Sequence, residues 1–235
     1  MLDALETALA NAPDSGAVRK ATVETLGDAR TLGREAIAAG FEADPSRARR
    51  VTHAYSFLTD CIVECVFHVA IRILHPNPHP TEGEHIAVLA VGGYGRGEMA
   101  PHSDVDLLFL TPYKMTPWVE SVIESMLYML WDLKLKVGHS SRTVKDCLRL
   151  GREDLTIRTA LLEQRLICGR GALATDLRDR LWAELFSQTI PEFVEGKLIE
   201  RSERHRKQGG QRYMLEPNVK EAKGGLRDLQ TLYWI

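Results

Sequence analysis

Residues 92–106 read GGYGRGEMAPHSDVD, and the apolar run LLFL follows at 107–110. Gly92, Gly93, Gly95 and Gly97 crowd together directly after IAVLAV, residues 86–91. A short continuous apolar run with β-branched members, closed by glycine, predicts a buried strand over Ile86–Val91 that ends in a turn. DVDLLFL predicts a second buried strand over Asp104–Leu110. Residues two apart on a strand point to the same face. Asp104 and Asp106 are therefore expected on one face, with carboxylates roughly 5–7 Å apart. At an effective dielectric of about 20, two such charges repel by roughly 2–3 kcal/mol. Protonating one relieves the repulsion. A bound divalent cation does so too, and oxygen-only ligands point to magnesium, with manganese as the alternative.

The glycines fit the same chemistry. Glycine allows close backbone approach and positive φ. A turn leading from a strand end into a helix presents free amides that cradle phosphate oxygens. Arg96, inside the turn, is a candidate charge partner for phosphate. Ser103 adds a hydroxyl just before the aspartates, and Glu98 is placed to brace the turn. A glycine turn alone, or a pair of aspartates alone, is common decoration. Together, each beside a predicted buried strand, they predict a metal-dependent phosphate site. No GKS or GKT follows, so the turn is not a P-loop. The second strand arrives too early for a dinucleotide-binding fingerprint.

Outward from this centre the chain reads mostly as helix. Residues 1–40 predict two helices broken near Asn11–Gly16, the second running from Ala17 to about Ala39. Asp44 and Pro45 suit the start of a long amphipathic helix whose stripe runs from Val51 to Ile73, and the prolines of HPNPHP end it. After the second strand, Thr116 and Pro117 open another helix. KVGHSSRTV predicts a third strand, and Thr143 caps the helix after it. TIRTALLEQRLICG predicts a helix running into a short strand at Arg165–Cys168. Residues 172–188 and 190–207 are expected to be helical, QGGQRYMLEPNVKEAKGGLRD a loop, and LRDLQTLYWI the start of a helix. The four tryptophans, Trp118, Trp131, Trp182 and Trp234, are expected in the core. The apolar residues at 232–235 suggest that the chain is part of something longer.

Composition narrows the function classes. Of the 235 residues 44% are hydrophobic and 26% charged, ordinary for a globular protein, and the formal net charge is −2. That balance supplies no global basic field and disfavours a nucleic-acid partner. No apolar run approaches the roughly 18 residues of a membrane span, so no membrane partner is expected. Cys61, Cys65, Cys147 and Cys168 lack zinc-site spacing and read as reduced thiols of a cytoplasmic protein.

The string VGGYGRGEMAPHSDVDLLFL resembles the glycine-turn and paired-aspartate signature of the DNA polymerase β-like nucleotidyltransferase superfamily. VGHSSRTVKDCL, DLTIRTALLEQRLICG and LEPNVKEAKGGLRDLQTLYWI extend the resemblance, over roughly residues 86–235, to the catalytic domain of the PII uridylyltransferases. The resemblance implies an α+β fold with a small mixed sheet flanked by helices. With the helical pattern of the first 84 residues, the chain divides into a helical region at 1–84, the nucleotidyltransferase core at 85–170, and a helical region at 171–235 leading to a part beyond this chain. The resemblance further implies UTP as substrate, PII as partner, and two magnesium ions. By the match Asp104 and Asp106 bind metal and are catalytic, while Gly92 and Gly93 bind nucleotide phosphates, with Arg96 and Ser103 beside them. UMP would pass to a PII tyrosine and pyrophosphate would leave. The superfamily usually adds a third carboxylate, and the predicted third strand has none. Asp132, Asp154, Glu163 and His139 remain open as the base. Transfer of AMP, or a silent nucleotide-binding module, are the alternative readings. No His-Asp dipeptide occurs in the sequence, so UMP removal and glutamine sensing are expected outside this chain. Lys220, Lys223 and Arg227 are candidates for a second phosphate contact. Arg201, Arg204, His205, Arg206 and Lys207 form a basic helix end.

Overall fold

The computed structural model describes residues 1–10, 12–207, 216 and 218–235. Ten α-helices and a four-stranded sheet are formed by the described residues. Of the expected loop at 208–228, residues 208–215 and 217 lie outside them, and residues 226–228 belong to the last helix. The chain forms two compact units: Met1–Asp146 with Glu163–Leu177, and Cys147–Leu162 with Arg178–Ile235.

The first unit begins with α1 (Leu2–Leu9) and α2 (Ser15–Ala43). The Asp14 carboxylate accepts the Ala17 amide at 2.8 Å, so α2 starts earlier than the sequence suggests and also runs further. Pro45–Arg47 form a 3₁₀ turn rather than the first α-helical turn, and α3 (Ala48–Val69) follows. A π turn at Ala70–Leu74 closes α3 just before the prolines.

Strands β1 (Ala87–Ala90), β2 (Val105–Thr111), β3 (Val137–Thr143) and β4 (Arg165–Gly169) are ordered β3-β2-β1-β4. β1 pairs antiparallel with both β2 and β4, while β2 and β3 are parallel. The sheet is therefore mixed and the class α+β. Strand period two divides the apolar residues between its faces. Val88, Ala90, Val105, Leu107 and Phe109 join one core with α3 and with α5 (Pro117–Asp132). The Thr116 hydroxyl caps α5, accepting the Val119 amide at 3.3 Å. Leu5, Val18 and Leu26 belong to the same core, so residues 1–84 and the sheet share one interior.

Helix α6 (Val144–Glu153) starts with a capping box. The Thr143 hydroxyl accepts the Asp146 amide at 3.1 Å, and the Asp146 carboxylate accepts the Thr143 amide at 3.3 Å. Helix α7 (Leu155–Leu162), helix α8 (Gly171–Leu181) with a π turn at Trp182–Phe186, helix α9 (Ile190–Lys207) and helix α10 (Leu226–Trp234) complete the chain. Within the second unit the Arg158 guanidinium is buried and donates to the Gly151 and Arg152 carbonyls.

Two tryptophans depart from expectation. Trp131 is 43% exposed and Trp182 56%, whereas Trp234 is buried and Trp118 half-buried. The inward stripe of α5 is carried by Val119, Val122, Met126 and Leu130. Trp131 lies off that stripe, edge-on to Tyr128 one turn earlier. Trp182 packs edge-on against Phe186 within the π turn.

Candidate active site

The glycine turn and the aspartates meet at one end of β2. Gly92–Gly95 form a single helical turn, α4, directly after β1. The Val91 amide donates to the Asp106 carbonyl at 3.1 Å, which fastens the start of the turn to β2. Gly92 adopts φ +60, a left-handed conformation that favours glycine. A Cβ on Gly92 would lie 3.6 Å from Asp106 Oδ2. The turn therefore passes at van der Waals distance from the carboxylate. The carbonyls of Val91, Gly92, Gly93 and Tyr94 receive the amides of residues 95–98. The first amides of such a turn have no acceptor within it.

Asp104 directly precedes β2, and Asp106 is its second residue. Both are exposed while Val105 between them is buried, the alternation expected of two side chains on one face. Within β2 Asp106 alone is exposed. Its partner across the parallel pairing is Gly138, and a Cβ there would stand 2.5 Å from Asp106 Oδ1. The carboxylate thus lies between two glycines on neighbouring elements. Ser140 and Arg142 continue that face of β3, opposite Leu108 and Leu110. Gly138 is an addition that strand period two would have flagged, once the pairing of β3 with β2 was known.

The other expected residues are placed as follows. The Ser103 hydroxyl accepts the Ala100 amide at 2.9 Å and closes the turn that leads into Asp104. The Arg96 guanidinium is largely buried and engaged by two carboxylates: Glu98 at 3.0 Å, and Glu163 through a short contact. Burial opposes its charge, but the bonds and field of Glu163 and Glu98 outweigh this and hold its pKa above the ordinary arginine value. Glu163 is accordingly the buried counter-ion of Arg96, and Glu98 braces Arg96 from its other side.

Arg165 of β4 supports the turn from beneath. It grips Asp60 with two bonds of 2.9 and 3.0 Å and donates to the Tyr94 and Gly95 carbonyls at 3.3 Å. These contacts join residues 70 to 105 positions apart, so no local pattern announces them.

His139 pairs with Leu107, one position out of step with Asp106, and its ring meets Phe109 and Trp131 edge-on. It therefore occupies the opposite face of the sheet from Asp106. Asp132 ends α5. Asp154 caps α7 by accepting the Thr156 and Ile157 amides at 2.6 and 3.0 Å.

Among the described residues no three His, Cys, Asp or Glu side chains are grouped to hold a metal ion. Magnesium does not need such a cage: it is held by one or two carboxylates plus substrate phosphates and water. Two exposed carboxylates beside a glycine turn fit that mode.

In the second unit, Arg204 and His205 of the basic helix end bond the Asp228 carboxylate, and Arg201 lies 3.5 Å from it. Arg227 stacks 5.6 Å over Trp234 and donates to Gln230 at 3.0 Å. The Lys220 amide donates to Asn218 Oδ1 at 3.0 Å.

Residues 192–235 match the GlnD PII-uridylyltransferase family model. The chain is 65% identical, over 97% of its length, to a bifunctional uridylyltransferase/uridylyl-removing enzyme of Ruegeria pomeroyi. It is 64% identical over 94% to one of Cereibacter sphaeroides, and 49% over 98% to one of Azospirillum brasilense. These matches span 25%, 24% and 25% of the relatives' own lengths. The chain is thus similar in sequence to bifunctional uridylyltransferase/uridylyl-removing enzymes and spans about a quarter of their length.

Proposed function

We propose that this chain carries out uridylyl transfer: UMP passes from UTP to a tyrosine of PII, and pyrophosphate leaves. The observation that carries the reading is the contact of the glycine turn with Asp106, 3.6 Å from the Cβ position of Gly92, in a chain 65% identical to a uridylyltransferase. Asp104 and Asp106 would hold magnesium, which would supply positive charge to neutralise the phosphates during transfer. The amides of Gly92 and Gly93 face the phosphates, with the Ser103 hydroxyl in the turn beside them. The tyrosine oxygen forms the new bond to the α-phosphorus as the bond to pyrophosphate breaks. The contribution of the chain is placement and preorganised charge. Arg96, locked between Glu98 and Glu163, stiffens the turn from within.

The test is incubation of the chain with magnesium, PII and each radiolabelled nucleoside triphosphate. Label transferred from UTP, and lost in Asp104→Asn and Asp106→Asn, is the expected result. Label from ATP alone would assign adenylyl transfer instead. Nucleotide binding without any label would identify a regulatory module.

A further inference from the structure

A cavity of about 430 Å³ opens beside Val105, within the first unit. Small-molecule sites commonly occupy about 300–1,000 Å³. Its walls are α2, α3, the 99–103 segment and residues 134–136. Arg30, Arg34, Lys134 and Lys136 line it together with His102, and no Asp or Glu does. None of the four permanent cations has a carboxylate partner among the described residues.

Such a concentration of one sign favours a counter-charge, chiefly at the half-buried Arg30 and Arg34, since Lys134 and Lys136 are exposed. Arg30 and Arg34 stand one turn apart on α2, where like charges destabilise a helix. Burial and the field of Arg34 lower the Arg30 pKa. The visible bonds use few of the available donors. Arg30 donates to the Leu133 carbonyl at 3.3 Å and Arg34 to the Pro101 carbonyl at 2.8 Å, whereas each guanidinium carries five N–H groups. Arg34 also rests 5.6 Å over the Tyr55 ring, which holds the guanidinium in place.

Lys134 adds an independent sign. Its φ is +58, the only positive value outside glycine among the described residues. The amides of Lys134 and Leu135 donate to the Trp131 and Leu130 carbonyls, a helix ending that usually places glycine at this position. A lysine kept in that conformation, at the rim of a cationic cavity, is local strain at a charged site.

We propose that this cavity is a second anion site that takes the phosphate group of a small molecule. Several guanidinium and ammonium groups converging from different elements suit a multiply charged, three-oxygen group better than a single carboxylate. The cavity meets the active site at Ser103, which lines it, but no aspartate does, and Val105 turns its side chain to the opposite face from Asp106. It is nevertheless tied to them. The Val105 amide bonds the Lys136 carbonyl at 2.7 Å, and Arg34 donates to the Pro101 carbonyl, so two anchors of the segment entering β2 come from residues that line the cavity.

The experiment is titration of the chain with inorganic phosphate and with pyrophosphate, in chelator and at low ionic strength, read by calorimetry and by amide shifts of residues 134–136. Saturable binding that weakens with salt is expected for at least one anion. Asp104→Asn should leave it unchanged, while Arg34→Gln and Lys136→Gln should each weaken it about tenfold or more. The Lys136 side chain makes no described contact, so that variant remains informative if Arg34→Gln does not fold. Phosphate preferred over pyrophosphate would indicate a monoester or the free ion, and the reverse order a diphosphate. Absence of saturable binding, binding indifferent to both substitutions, or equal binding of succinate would overturn the proposal. Because these readouts use neither magnesium nor PII, failure of uridylyl transfer would leave them standing.

Discussion

The carboxylate of Asp106 lies over Gly138, its register partner on β3, with only 2.5 Å between Oδ1 and the position a Cβ would take. A side chain at 138 has nowhere to go unless the carboxylate rotates away. Gly138→Ala should therefore act on the site more than on the fold. Magnesium-dependent nucleotide affinity is expected to fall about tenfold or more, while the urea midpoint changes little. Calorimetry with magnesium and UTP, beside a denaturation curve, separates the two effects. Unchanged affinity would show that the orientation of Asp106 is not set by Gly138.

Arg96 and Glu163 form a pair in which neither side chain is more than 15% exposed. Removing one partner strands a buried charge, which costs about 3–5 kcal/mol, whereas replacing both with apolar residues is far milder. Arg96→Met, which strands Glu163, should lower the urea midpoint sharply, Glu163→Gln less so because Glu98 still holds Arg96, and the double variant Arg96→Met/Glu163→Leu should recover much of the loss. Additive losses in the double-mutant cycle would contradict the pairing.

Asp228 provides a pH test for the second unit. Burial alone would raise its carboxyl, but the Gly224 amide, Arg204 and His205 outweigh burial and hold it below the ordinary carboxylate range. A depressed pKa contributes stability that is present above the unfolded value, about 3.9. That stability is lost as pH falls through the folded value. The urea midpoints of wild type and Asp228→Asn should therefore differ near pH 6, and the difference should shrink as pH falls below about 3.9. A difference that grows on acidification would contradict the assignment.

Thiol chemistry follows from burial. Burial pushes the Cys65 thiol up to about 11, and it also raises Cys61 and Cys168. These three thiols are protonated at neutral pH and poor nucleophiles. Labelling of the native chain with an alkylating reagent at pH 7.5 should be slow at all three, and in urea it should be rapid. Fast native labelling at Cys65 would show that its helix opens readily.

Much of the architecture can be read from local patterns. The strand positions, the caps at Thr116 and Thr143, and the meeting of the glycine turn with the aspartates rest on signals within a few residues of each other. What escaped depends on partners far along the chain. Arg96 reads as a phosphate ligand until Glu163, 67 positions later, is seen beside it. Nothing local marks Arg165 as the support of the turn, since its partners are Asp60, Tyr94 and Gly95. His139 reads as a candidate base, yet the register with β2 turns it to the other face. The misplaced tryptophans reflect a narrower question: which stripe of a helix faces inward depends on the whole set of its apolar residues rather than on the largest one.

In β2, six buried residues surround one acid held next to another. Aspartate is disfavoured in strands, so a β-branched side chain in place of Asp106 would suit the strand better. A screen that rewarded only heat resistance would therefore drift away from aspartate at 106. Variants that gain melting temperature through this position should be the ones that lose their nucleotide.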